Sequence, residues 1–99
     1  MIITTKSGAT YEAEVKQTSK GPCLFASRNG DKARPVIAIF PDRLPFLQAT
    51  ASTEWNGHQV IGYNGAGTVT LKFDPAKVLR GMILANRRGL RSTEIVAVV

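Results

Sequence analysis

Residues 51–73 read ASTEWNGHQVIGYNGAGTVTLKF, and this stretch decides the fold. Near its end Val69, Leu71 and Phe73 alternate with threonine and lysine, the period of two that places apolar side chains on one face of a β-strand. Earlier in the stretch, the Asn-Gly pair at 56–57 suits the two positive-φ positions of a type I′ hairpin. The stretch therefore predicts antiparallel strands joined by tight turns.

The same signals recur towards the N-terminus. Residues 10–16 alternate polar and apolar, with residues 2–5 as a partner strand. A third strand, over about residues 23–28, runs into a second Asn-Gly pair at 29–30. Its return strand is predicted to begin near Arg34 and to run through residues 36–40. That run is apolar on both faces, so we expect it to lie centrally in the sheet with both sides covered.

Two segments depart from simple strands. Prolines at 41 and 45 interrupt the β pattern, and residues 42–48 predict one irregular helical turn that closes an end of the core. Residues 95–99 are apolar and predict a terminal strand that pairs either within the chain or with another chain's sheet edge.

A C-terminal helix is predicted over about residues 75–88. Asp74 suits the N-cap, where its carboxylate accepts a free backbone N–H, and Pro75 suits the first helical position. Gly89 suits the left-handed position that ends a helix. The expected buried stripe consists of Val78, Leu79, Met82 and Ile83.

These elements predict one domain over residues 1–99, of the α+β class and mostly β. We expect a strongly bent antiparallel sheet or a partly open small β-barrel with the single C-terminal α-helix packed over it. A chain of 99 residues with 43% hydrophobic content has enough apolar side chains for one core and not for two. Self-association into a homo-oligomer would add to the thin stability margin of so small a domain.

Charge and cysteine content indicate the kind of partner and the cellular compartment to expect. Thirteen Lys and Arg against seven Asp and Glu give a net charge of +6, which favours an anionic partner such as nucleic acid, a nucleotide or an acidic protein face. Cys23 is the sole cysteine, so an internal disulfide is impossible and a reducing compartment, the cytoplasm, is expected. The N-terminus has no signal-like apolar region, and the longest apolar runs are strand-sized, so we expect no membrane association.

The predicted helix carries a basic face, and no acid occurs from residue 76 to residue 93. A solvated helix usually mixes Glu with its cations, so this absence favours an anion-binding surface, although a solubilising face explains the same pattern. The candidate residues for an anionic partner are Lys77, Arg80, Arg87, Arg88 and Arg91.

Trp55 and His58 flank the hairpin tip at 56–57 and are the candidate protein-interface residues. A lid over the core explains Trp55 equally well, and a solvent-exposed turn histidine is the simpler interpretation of His58. One Cys with one His lacks the ligands of a customary zinc site, and the acids are scattered. We therefore expect no catalytic residue, no metal, no cofactor and no enzymatic activity.

The residues at 2–8 and 11–12, a middle strand ending in Phe40, and the later segments 61–63 and 68–71 resemble a group of small bacteriophage and mobile-element proteins. The resemblance covers about the first three quarters of the chain, in strand order and turn style, and the helix from residue 75 departs from it. It implies a small accessory protein that blocks a host defence or regulatory machine by occupying its binding surface.

Three functions follow as hypotheses. The first is a non-enzymatic binding protein, an inhibitor of phage type in the host cytoplasm that occludes a host protein or sequesters an anionic ligand. The second is a nucleic-acid-binding regulator that places its basic helix face on phosphates. The third is a virion or assembly component in which residues 95–99 extend a neighbouring subunit's sheet.

Overall fold

The structure is a computed structural model that describes residues 1–43 and 51–99, and of residues 51–54, 63 and 64 it describes the backbone alone. Within this part of the chain the regular elements are β-strands and one 3₁₀ turn at Pro41–Arg43. The strands are β1 (Ile2–Thr5), β2 (Thr10–Thr18), β3 (Gly21–Ser27), β4 (Arg34–Pro35), β5 (Ile37–Ile39), β6 (Ala51–Asn56), β7 (Gln59–Asn64), β8 (Gly67–Lys72), β9 (Ile83–Ala85) and β10 (Ile95–Val98). The irregular turn predicted over 42–48 lies outside the described residues from residue 44 onwards.

The strands form three antiparallel sheets in the described part of the chain. Their orders are β10-β1-β2-β3-β4, β5-β9 and β6-β7-β8. The predicted antiparallel pairings of β1 to β3 and of β6 to β8 are confirmed. The predicted return strand of β3 is confirmed only at β4, because β5 pairs with β9 in a separate sheet. β10 pairs with β1 of the same chain, with Ile3 opposite Val98. The C-terminal apolar segment is therefore used within its own sheet.

The two-stranded sheet of β5 and β9 lies between two apolar clusters. Ala38 and Leu84 are opposite each other and face the larger cluster, which the five-stranded sheet supplies with Ile3, Tyr11, Leu24 and Ile95 among others. The alternate residues of the two strands face the smaller cluster, which also contains Val60, Trp55, Leu71 and Phe73. Residues 36–39 are thus covered on both sides, as their continuous apolar pattern predicts. Phe40 is 40% exposed, and β5 lies in a two-stranded sheet instead of at the centre of a larger one.

The helix predicted over residues 75–88 is wrong, and the fold class that included it is wrong as well. The described residues contain no helix of seven or more residues, and they form three sheets instead of one bent sheet. Asp74 does accept a backbone N–H, from Ala76 at 2.9 Å, but the result is a turn closed by the Lys77 N–H on the Asp74 carbonyl at 3.0 Å. Gly81 then adopts a φ of 89°, outside helical geometry.

Burial explains why the segment is a strand. Ile83, Leu84 and Ala85 are successive residues, and each is at most 5% exposed. A surface helix buries one stripe, whereas a strand between two apolar layers buries consecutive side chains on both faces. Leu79, expected in the buried helical stripe, is 43% exposed. Pairing with β5 therefore outweighs the local helix signals, as tertiary context commonly does.

Backbone hydrogen bonds join the two-stranded sheet to the five-stranded sheet at both ends. On one side the Val36 N–H donates to the Leu24 carbonyl at 2.9 Å. On the other, the Gly81 N–H donates to the Ile95 carbonyl at 2.9 Å, and the Ile95 N–H donates to the Met82 carbonyl at 2.7 Å. These bonds fix the residues that lead into β9 against the larger cluster, and the Ser92 N–H, which donates to the Leu84 carbonyl at 3.0 Å, holds the end of the loop that follows β9.

The two Asn-Gly pairs serve different purposes. Asn29 and Gly30 have φ values of 53° and 76° at the centre of a turn closed by the Asp31 N–H on the Arg28 carbonyl, the positive values that a type I′ turn needs. This turn lies within the longer connection from β3 to β4. At the second pair Asn56 is already opposite Gln59, so the two loop residues begin one position later than predicted.

Gly57, in that second loop, is needed for a close approach between sheets. A Cβ there would lie 2.5 Å from the Leu24 nitrogen and 2.7 Å from the Cys23 Cβ. The Leu24 N–H also donates to the Gly57 carbonyl at 3.4 Å. The hairpin tip of the three-stranded sheet thus lies directly on β3.

Candidate functional site

A tight loop follows β9 and projects arginines from the sheet. The side-chain oxygen of Asn86 accepts the N–H groups of Arg88 and Leu90, each at 2.9 Å. Gly89 adopts a φ of 97°, which glycine accommodates without strain. Leu90 packs against the larger apolar cluster, while Arg87 and Arg88 at the tip are exposed. Asn86 therefore builds, with Gly89, which was expected to end a helix, a turn that presents two guanidinium groups to solvent.

Arg91 is held against Trp55 beside this loop. Its Nη1 donates to the carbonyls of Leu90 at 2.7 Å and Asn86 at 3.1 Å, and its guanidinium carbon lies 5.8 Å from the centre of the Trp55 ring. A guanidinium within about 6 Å of an indole is attracted by the ring's π electrons. These contacts fix a cation and a half-buried aromatic ring next to the arginines of the loop.

A cavity of about 210 Å³ separates the loop from the hairpin that carries Trp55. Its residues combine apolar walls, two side-chain amides and three guanidinium groups. They are Arg34, Pro35, Val36, Trp55, Asn56, Asn86, Arg87 and Arg88. An apolar space with cations around it suits a ligand that is both flat and anionic.

A second cavity of about 220 Å³ adjoins the first, because Arg34, Val36 and Asn86 line both. It adds Arg28 and Lys32, and Arg28 lies 6.0 Å from the centre of the Tyr11 ring. We call the cations of this region the arginine surface: Arg28, Lys32, Arg34, Arg87, Arg88 and Arg91. Asp31 is the one acid among the described residues that line the two cavities.

The structure brings together four of the predicted site residues and separates three. Arg87, Arg88, Arg91 and Trp55 meet at the arginine surface, although no helix places them there. The three arginines lie together because they are close in sequence in the loop after β9, and they do not share a helical face.

Lys77 and Arg80 do not belong to this surface. Lys77 lines a different cavity of about 230 Å³, together with Arg43, Lys72 and Asp74. Arg80 is exposed in the turn before Gly81 and lines neither cavity of the arginine surface. Their predicted place beside Arg87 depended on the helical spacing that the strand β9 removes.

Three cations of the arginine surface were not predicted from the sequence: Arg28, Lys32 and Arg34. They flank the hairpin tip at 29–30, and a concentration of cations around an Asn-Gly turn is the signal that could have identified them. Their approach to the loop after β9 arises from packing between distant segments, which spacing along the chain does not show.

His58 lies against Cys23, so it differs from the exposed turn histidine expected from the sequence. Its Nδ1 is 3.2 Å from the Cys23 sulfur, which also lies 3.5 Å from the Thr18 hydroxyl. A thiol beside an imidazole is the pair that cysteine nucleophiles use, but Cys23 is only 2% exposed. The contact fills the junction between β3 and the hairpin tip, and we assign it to packing.

The residues that the structure describes contain neither a cluster of metal ligands nor a helix that could span a membrane. Among them, no three His, Cys, Asp or Glu side chains come together as a metal site would require. None of their helices has the length and apolar character to cross a bilayer.

Comparisons with known proteins return no match: no family model, no curated protein and no solved structure is similar to this chain. The resemblance to small bacteriophage proteins therefore stays a prediction. The arginine surface and the cavities that it borders are the features of the fold that indicate a function.

Proposed function

We propose that the chain is a non-enzymatic nucleic-acid-binding protein that places phosphate groups on the arginine surface. The observation that carries the proposal is the meeting of cations from two distant segments, Arg28 to Arg34 and Arg87 to Arg91, around one pair of adjoining cavities. Arginine presents several N–H donors in a fixed plane and binds phosphate oxygens in pairs, which makes it the preferred phosphate ligand.

The charge balance of the surface supports the same partner. Asp31 faces six cations there, and the whole chain carries a net charge of +6. The salt bridge between Lys16 and Glu14, at 3.2 Å, lies outside this surface. Cations that are not neutralised by acids within the fold attract polyanions. When a polyanion such as nucleic acid binds them, it releases the counterions condensed on its phosphates.

An acidic protein face is the second candidate partner. The contact between Arg91 and Trp55 favours it, since arginine and tryptophan are the residue types that most often dominate protein interfaces. In that case the chain would occlude a host protein, as the resemblance to phage accessory proteins implies. A measurement of binding to nucleic acid distinguishes the two candidate partners.

The proposal predicts binding that weakens steeply with salt and depends on the loop arginines. Replacing both Arg87→Gln and Arg88→Gln should lower the affinity for a labelled oligonucleotide about tenfold, because two phosphate contacts are lost. The slope of log affinity against log salt should become shallower by about 1.4 for a single strand. Fluorescence anisotropy between ~50 and ~200 mM salt measures both quantities.

A matched control has Lys72→Gln and Lys77→Gln, which remove the same charge from the separate cavity that those lysines line. This variant should keep most of the wild-type affinity. Equal losses in the two double variants would show that net charge and not the arginine surface drives binding. If wild-type protein does not bind at low salt, nucleic acid is ruled out and the acidic protein face takes its place.

A further inference from the structure

We infer that the 210 Å³ cavity beside Trp55 receives one unpaired nucleobase, so that the chain selects single-stranded over duplex nucleic acid. The inference rests on the proposed function and adds to it. The proposed function needs only phosphates on the arginine surface, whereas the inference assigns a base to the cavity.

The size of the cavity limits what it can hold. Sites for drug-sized ligands usually have ~300–1,000 Å³, and this one has about 210 Å³. A single planar ring system fits such a space, while a nucleotide's sugar and phosphate would stay outside. The guanidinium groups of Arg34, Arg87 and Arg88 border the cavity and are available to that phosphate.

The walls match the two kinds of surface on a nucleobase. Pro35, Val36 and the Trp55 ring give apolar and aromatic contact for the base's flat face. Asn86 supplies an amide for its polar edge: the side-chain oxygen is occupied by two backbone N–H groups, which leaves the NH₂ as the donor. A carbonyl oxygen or a ring nitrogen of a base accepts such a bond.

The placement of Trp55 makes it a suitable stacking surface. It contacts the smaller apolar cluster, lies 5.8 Å from the Arg91 guanidinium carbon and lines the cavity, so its orientation is set before a ligand arrives. A ring that is already fixed loses little conformational freedom on binding. Stacking on such a ring raises affinity without reading sequence, because every base has a flat π face.

Duplex nucleic acid cannot use this cavity without breaking pairs. Its bases are stacked and hydrogen-bonded, and only unpaired bases can turn outwards onto aromatic side chains. A duplex therefore contacts the arginine surface alone. Since stacking of one base raises affinity about tenfold to hundredfold, a single strand should bind at least about tenfold more tightly than a duplex of equal length.

The experiment uses three ligands of equal length: an oligothymidylate, a duplex, and an abasic strand that keeps the phosphates but lacks the bases. Trp55 is the single tryptophan of the chain, so its intrinsic fluorescence reports on the cavity directly. We expect the oligothymidylate to quench this fluorescence and to bind at least about tenfold more tightly than the other two, neither of which should quench it.

Substitution of Trp55 completes the test. Trp55→Leu should reduce the ratio of single-strand to duplex affinity about tenfold, measured by anisotropy with labelled strands. Trp55→Phe keeps an aromatic ring and should restore most of the ratio, and thermal melting of both variants confirms that they are folded. A ratio that Trp55→Leu does not change in folded protein would overturn the inference.

The outcomes separate the two claims. Equal affinity for all three ligands without quenching would overturn the base in the cavity and leave phosphate binding by the arginine surface intact. Absence of binding by all three at low salt would overturn the proposed function and the inference with it.

Discussion

Replacing Gly57 with alanine should lower the free energy of unfolding by about 3 kcal/mol, near the upper end of the range for inserting atoms into a packed site. The new Cβ would lie 2.5 Å from the Leu24 nitrogen and 2.8 Å from the Leu24 carbonyl oxygen. These are backbone atoms of β3 and cannot rotate away. The hairpin tip would therefore have to separate from β3, with loss of the contact between Cys23 and His58.

A loss of stability at Gly57 would come from the steric contact, because backbone strain is absent there and alanine alone would stabilise the chain. Gly57 is not among the described glycines with positive φ, and at an ordinary φ the change from glycine to alanine stabilises a protein by about 0.4–1 kcal/mol. Gly65→Ala is the matched control, since Gly65 lies in the other turn of the same sheet with nothing within 4 Å of its Cβ position. Urea denaturation followed by circular dichroism measures both variants, and equal stability would contradict the docking of the hairpin on β3.

Leu84→Ala should cost about 2–5 kcal/mol, the range for a buried leucine that leaves a cavity. Leu84 is 0% exposed, lies in β9 and faces the larger cluster. Leu79→Ala, in the same segment but 43% exposed, should cost less than about 1 kcal/mol. Chemical denaturation of the two variants gives the comparison.

This pair also tests the local structure. A helix over residues 75–88 would bury Leu79 in its apolar stripe, whereas the strand β9 buries Leu84. A larger loss of stability in Leu79→Ala than in Leu84→Ala would contradict the strand.

The hairpins could be predicted from the sequence because their signals are local. Asn29 and Gly30 supply two positive φ values, and β5 is a continuous apolar run, so each prediction depends on a few adjacent residues. The antiparallel pairing of neighbouring strands followed from these signals.

The segment after residue 74 could not be predicted in the same way. Asp74 and Gly89 are common at helix ends, but the same side-chain oxygen and positive φ also build turns, and here they do. The segment forms a strand instead of a helix because β9 pairs with β5. β5 is distant in sequence, so the residue pattern of the segment does not reveal this pairing.

The candidate site likewise has one part that the sequence predicts and another that depends on contacts between distant segments. Arg87, Arg88 and Arg91 are close in sequence, so any compact local structure keeps them together. Arg34 and Trp55 join them through contacts between different sheets, and the cavity between them exists only in the assembled fold. A cavity lined by distant segments is therefore the part of the site that the sequence pattern does not predict.

The most direct test of nucleic-acid binding at the arginine surface is a titration of the protein's two-dimensional amide NMR spectrum with a short oligothymidylate at low salt. We expect the largest shifts at the Trp55 indole N–H and at the backbone amides of residues 86–91, with little change at Glu12 and Glu14 on the outer side of β2. Largest shifts elsewhere, or a spectrum that the oligonucleotide leaves unchanged, would contradict the account.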